Sequence, residues 1–170
     1  MSAPVRWADL AWPDVAELVA ARGGAEVALV PVGATEQHGP HLPLATDTII
    51  ATALCELASA RTGAPVLPAI PIACSYGHGT VLPGTISLTP ELLAAVARQY
   101  AEWITHSGIT KLLFVNSHFG NAAALGIATD HLRLYRPDLQ CGVVDWWSSD
   151  PEVLREVTED GADIHANRAE

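Results

Sequence analysis

The chain has 170 residues, a length that suits one domain and lets roughly two thirds of the unfolded surface be buried. Apolar residues make up 49% and charged residues 16%, with a mean hydropathy of +0.23, which excludes an intrinsically disordered chain and a charged coiled coil. Nineteen acids against nine Lys and Arg give a formal charge of -10, so a phosphate backbone or an anionic membrane is repelled, and neither nucleic acid nor membrane is an expected partner.

Pro13 suits a first helical turn, and Val15, Leu18 and Val19 share one face, which predicts a helix over Trp12 to Ala21. Glu26 to Gly33 is a short valine-rich run ending in glycine and reads as a buried strand. Between Asp47 and Arg61, Ile49, Ile50, Leu54 and Leu57 fall at helical spacing. Thr46 or Asp47 is the expected N-cap and Gly63 lies just past the end, so a second helix follows. Val66 to Cys74 reads as another buried strand despite its prolines. Thr89, followed by proline, opens a helix that runs to about Ser107. Lys111 to Asn116 is a third buried strand, Asn121 to Tyr135 a helix, and Gln140 to Trp146 a fourth strand. Strands separated by helices imply a three-layer α/β/α architecture with a mostly parallel central sheet, in a single domain.

Cys55, Cys74 and Cys141 are too few and too widely spaced for a disulfide scaffold or a CxxC metal knuckle, which fits a reducing compartment. The N-terminal stretch carries acids and prolines where an export signal needs an apolar run after basic residues. The longest apolar stretches are broken well before the 18 or so residues that a membrane helix requires. The expected location is the cytoplasm.

Ligands of such sheets bind at the carboxyl ends of the strands. The segments leaving the first and third strands, Gly33 to Asp47 and Asn116 to Asn121, are both polar and bear histidine. Glu36, His38 and Asp47 fall within twelve residues of one another, and His118 leaves the other strand end. Carboxylates and imidazoles converging on one sheet edge are the oxygen and nitrogen donors that bind zinc, manganese or iron in hydrolytic sites. The alternative is that the acids cap helices and the histidines bond to backbone, as polar loop residues commonly do.

The string from Pro31 to Asp47, PVGATEQHGPHLPLATD, resembles the first signature of the creatininase family of metal-dependent amidohydrolases. Tyr76 to Leu88, YGHGTVLPGTISL, is similar to a second signature of that family, and Asn116 to Asn121, NSHFGN, to a third. Asp163 to Glu170, DIHANRAE, follows the first part of a fourth. The resemblance implies two divalent metal ions (Zn, Mn or Fe). Glu36, Asp47 and His118 would hold one, and His38, a bridging Asp47 and a further glutamate the other. Creatininase itself places that glutamate two residues after the third-motif histidine, where this chain has Gly120. Glu170, five residues after His165, matches the glutamate of the fourth signature in other branches.

By the same resemblance His165 is the proton shuttle to the departing nitrogen. Ile164 stands where creatininase has an acid, leaving Asp163 as the candidate substitute. His78, Phe119, Trp146 and Trp147 are candidate pocket residues, each with a packing or turn role as the alternative. Ser117 and Phe119 replace glycines of the third signature, and Asn167 replaces one of the fourth. Relatives continue beyond the position of Glu170, so a domain shortened at its C-terminus is expected, as is a homo-oligomer, a hexamer by family likeness. The expected reaction is hydrolysis of a non-peptide C–N bond in a small cyclic amide or formamide. The alternatives are a peptidase that trims a small precursor, as mycofactocin-system relatives do, and a non-catalytic binding module that keeps the fold.

Overall fold

Three valine- and leucine-rich runs pair in parallel in the computed structural model, which describes residues 2–21, 27–79, 82–150 and 152. They are β1 (Val27–Val32), β2 (Lys111–Asn116) and β3 (Gln140–Asp145), in that spatial order. The register sets Val32 opposite Asn116 and Asn116 opposite Asp145, so the three carboxyl ends finish level. Helices α1 (Trp12–Ala21), α2 (Thr46–Thr62), α3 (Tyr76–Gly79), α4 (Pro90–Ile104), α5 (Ala122–Tyr135) and α6 (Trp146–Ser149) complete the described chain. None is long and apolar enough to cross a membrane.

Alternation along the strands divides the core between two faces. Ala28, Val30, Val32, Leu112, Phe114 and Cys141 pack with Leu93, Ala97 and Ala101 of α4 and with Leu125, Ala128 and Leu132 of α5. Leu29 and Val115, with Leu113 and Val144, pack with Cys55 and Ala58 of α2 on the other. Helices on both faces of a parallel sheet are the expected α/β layering, and they explain why the strands are apolar on both sides. Thr89 caps α4 by accepting from the Leu92 amide at 3.3 Å, with Pro90 at the first position.

Two expectations are corrected. Val66 to Cys74 forms isolated bridges, Leu29 with Val66 and Val32 with Ile70, rather than a strand. Pro65, Pro68 and Pro71 lack the amide hydrogens that a continuous ladder needs, yet the segment still runs buried beside β1. Helix α2 also starts and faces differently. Ala45 occupies the N-cap with no side-chain bond, and the Thr46 hydroxyl donates to the Pro43 carbonyl instead. Its buried stripe is Asp47, Ala51, Cys55 and Ser59, while Ile49, Leu54 and Leu57 face outward. Small side chains let α2 lie close to β1, and Gly63, in the left-handed region at φ 77°, ends it as expected.

The close approach is tightest at Gly33, where an added Cβ would land on the backbone of Thr48. Gly33→Ala is expected to push the start of α2 off β1 and cost about 1–3 kcal/mol, the range for overpacking. Urea unfolding checks it against Gly126→Ala, whose Cβ meets nothing within 4 Å. Equal midpoints in the two variants would show that the helix start has room to spare.

Candidate metal centre

The level strand ends deliver four ionisable side chains to one place. Beyond Val32 the chain turns at Gly33 and carries Glu36 and His38 back over the sheet edge. Asp47 sits in the first turn of α2, where the helix dipole favours an anion, and His118 follows β2 by two residues. All four are buried. His118 Nδ1 lies 3.1 Å from Glu36 Oε1 and 3.2 Å from Asp47 Oδ2, while His38 Nε2 lies 3.0 Å from Asp47 Oδ1. The two oxygens of Asp47 therefore face two different imidazoles. The Ser117 hydroxyl ties the loop down by donating to the Asp47 carbonyl, with the Val32 carbonyl 3.3 Å away.

Each imidazole turns its other nitrogen to a carbonyl. His118 Nε2 is 2.7 Å from the Cys74 carbonyl and 3.5 Å from the Ser75 hydroxyl, and His38 Nδ1 is 3.2 Å from the Glu36 carbonyl. A carbonyl only accepts, so those nitrogens carry hydrogen and donate, and the nitrogens facing the carboxylates are left for a proton or a metal. Burial opposes charge on His118, but hydrogen bonds to Asp47 and Glu36 outweigh it and raise the imidazole to about 10. The same balance raises His38, and the two imidazoles hold Asp47 below its ordinary value despite burial. One donor atom from each of Glu36, Asp47 and His118 lies within 4.8 Å of the others, so these three could hold a metal ion. Two hard carboxylates and an imidazole with its second nitrogen anchored are a donor set that fits zinc, manganese or iron.

A cavity of about 70 Å³ opens on this cluster. His38, Asp47, Ser117 and His118 form its polar side, and Ile50, Phe119, Trp146 and Trp147 its apolar side. Phe119 is 58% exposed and stacks on Trp147, with ring centroids 4.4 Å apart and planes 14° from parallel. It leans over the cavity rather than into the core. Trp146 meets Trp147 edge-on at 6.4 Å. Both tryptophans stand in α6, directly after β3, whose Asp145 accepts from Asn116 Nδ2 at 2.7 Å.

The structure thus brings Glu36, His38, Asp47, His118, Phe119, Trp146 and Trp147 together. Asp163, His165 and Glu170 lie outside the described residues, and of His78 only its backbone, in α3, is described. His41 is exposed, and His106 and His131 pack at a tilt against Trp103 and Tyr135 away from the cluster. Sequence reasoning passed over Asn116 and Asn121, both completely buried beside His118. Their signal was present: an amide on each side of the histidine, at the end of an otherwise apolar strand.

A family model described as creatininase, creatinine amidohydrolase, matches residues 8–170. The mycofactocin precursor peptide peptidase of Mycolicibacterium smegmatis is 41% identical over 130 residues, 69% of this chain and 50% of that protein. The creatinine amidohydrolase of Pseudomonas putida is 30% identical over 176 residues, 95% of this chain and 65% of that one. A solved manganese form of creatininase superposes with a TM-score of 0.78 at 28% identity, covering 91% of this chain and 64% of that structure. The chain therefore spans half to about two thirds of the length of these relatives. A match running from residue 8 to residue 170, over a fold whose strand ends gather the signature acids and histidines, places the chain in the creatininase family.

Proposed function

We propose that the chain is a metal-dependent hydrolase of a C–N amide bond, a reading carried by the buried Glu36, Asp47 and His118. In this reading Glu36, Asp47 and His118 hold one divalent ion, and His38, Asp47 and Glu170 hold a second. Asp47 suits the bridging role because each of its oxygens already addresses a separate imidazole. When bound, such ions acidify a shared water toward neutral pH and polarise the substrate carbonyl, which is what an unactivated amide requires. His165, with Asp163 two residues before it, delivers the proton to the departing nitrogen. Phe119, Trp146 and Trp147 offer aromatic faces to a flat substrate, and His78 is carried as a further candidate for substrate contact from its place in the second signature. Assembly into a homo-oligomer in the cytoplasm completes the reading.

A cavity of about 70 Å³ favours a small cyclic amide or formamide. A second reading, the trimming of a small precursor peptide, is favoured by the higher identity to the mycofactocin precursor peptide peptidase than to creatinine amidohydrolase. Mass spectrometry after incubating the metal-loaded chain with creatinine, a panel of small amides and formamides, and short peptides separates the two. Cleavage of peptides alone would overturn the small-amide reading, and no cleavage of any kind would favour the binding module.

Elemental analysis after purification without chelator is expected to give near two metal equivalents per chain. Asp47→Ala is expected to lose both and to reduce turnover to background, and Glu170→Ala to lose mainly one. Two full equivalents in the Glu170 variant would remove that residue from the ligand set.

The metal-free chain has a pH signature of its own. His118 is raised from an ordinary 6.5 to about 10, so its contribution to stability is complete below pH 6.5 and is lost as pH climbs toward 10. Thermal melting in chelator is expected to fall across that window, while zinc affinity rises because Nδ1 must give up its proton to ligate. A melting temperature that stays level in chelator, together with pH-independent zinc affinity, would place His118 outside the metal centre.

A further inference from the structure

Asparagine 121 has no role in the site so far, yet it is one of the most heavily bonded side chains near it. It lies in the short turn Phe119–Asn121 between β2 and α5 and is fully buried. Its Nδ2 donates to the Gly33 carbonyl at 2.9 Å and to Asn116 Oδ1 at 3.2 Å, and its Oδ1 accepts from the Cys74 amide at 3.1 Å. Asn116 Oδ1 also accepts from the His118 amide at 3.1 Å. One side chain thus joins the end of β1, the segment beside it and the end of β2.

The Cys74 backbone is the point of interest. On its amide side it is held by Asn121, and its carbonyl accepts from His118 Nε2 at 2.7 Å. Gly120 packs against that bond: a Cβ there would strike the Cys74 carbonyl oxygen and come within 2.6 Å of His118 Nε2. Neither contact can relax by rotating a flexible side chain, because one partner is backbone and the other a buried ring.

We propose that Asn121, acting through the Cys74 backbone, and Gly120, by having no side chain, are positioning residues that choose which ring nitrogen His118 presents to Glu36 and Asp47. The inference rests on the metal-centre reading above. An imidazole has two nitrogens, and the one that meets a fixed carbonyl must carry hydrogen. With Nε2 committed to Cys74, Nδ1 is the ligating atom.

The test uses the full chain as wild type, Gly120→Ala, Asn121→Ala and Gly126→Ala, the last being a glycine with open space around it. Zinc affinity is measured by chelator competition, and folding by circular dichroism. Long-range 1H–15N correlation spectra of 15N-histidine protein at saturating zinc then report the state of His118, assigned by its loss in His118→Gln. The wild type and Gly126→Ala are expected to show His118 bound through Nδ1 with hydrogen on Nε2. Gly120→Ala and Asn121→Ala are expected to bind zinc about 10–100-fold more weakly, as for other partners that orient a metal ligand, and to lose that single pattern. If Gly120→Ala does not fold, Asn121→Ala decides alone. Weaker binding with the His118 pattern unchanged would mean mere stabilisation and overturn the proposal, as would unaltered affinity or a wild type bound through Nε2. A wild type that takes up no zinc at all overturns the metal reading and this inference with it.

Discussion

Glu36 and Asp47 are two carboxylates removed from water and aimed at one imidazole nitrogen, and a buried pair of like charges stands only with a cation between them. That cation is a proton on His118 or a metal in its place. Everything near the site serves this constraint. The parallel strands end level so that loops from β1 and β2 meet. Helix α2 begins where its dipole faces Asp47, and the Ser117 hydroxyl fixes the backbone of the residue that both histidines address.

The constraint also reaches into the choice of small residues. Asp47 reaches its partners because α2 lies against β1, and α2 lies there because Gly33, Ala51 and Ser59 carry little or no side chain. Larger apolar residues on the same helix, Ile49 and Leu57 among them, are turned outward. A helix chosen for maximal apolar burial would present those instead, and would move Asp47 away from the cluster. Site geometry, rather than burial, sets the rotation of α2.

This is also where the sequence was readable and where it was not. Lys111 to Asn116 was legible to the residue because a doubly buried parallel strand is an unbroken apolar run. The run from Glu36 to Asp47 was ambiguous by spacing alone, since polar loop residues also cap helices and bond to backbone, and its likeness to the first family signature is what marked it as a candidate cluster. The rotation of α2 was not, since period alone marks a helix without saying which stripe faces inward when small residues compete. The segment from Val66 to Cys74 was half legible: its burial follows from its apolar character, while its broken pairing follows from prolines that remove ladder donors. Asn121 could not be assigned from local pattern, because its partners Cys74 and Gly33 stand 47 and 88 residues away in the chain.

Both histidines follow one rule: one ring nitrogen is tied to a carbonyl, Nδ1 in His38 and Nε2 in His118, and the other is turned to Asp47. Orientation is therefore fixed by the fold rather than by the ion. Sites whose ligands gather only around a metal unfold without it, because binding free energy is then folding free energy. Here the raised imidazoles let protons balance the carboxylates in the ion's absence, so the ligands keep their directions and the fold keeps its charge neutralised. In the metal-bound reading the cost falls on binding, since an ion would displace the proton that already satisfies the site. If the proposed ion binds here, it meets a geometry that is already complete, which is the preorganisation that the hydrolytic reading requires.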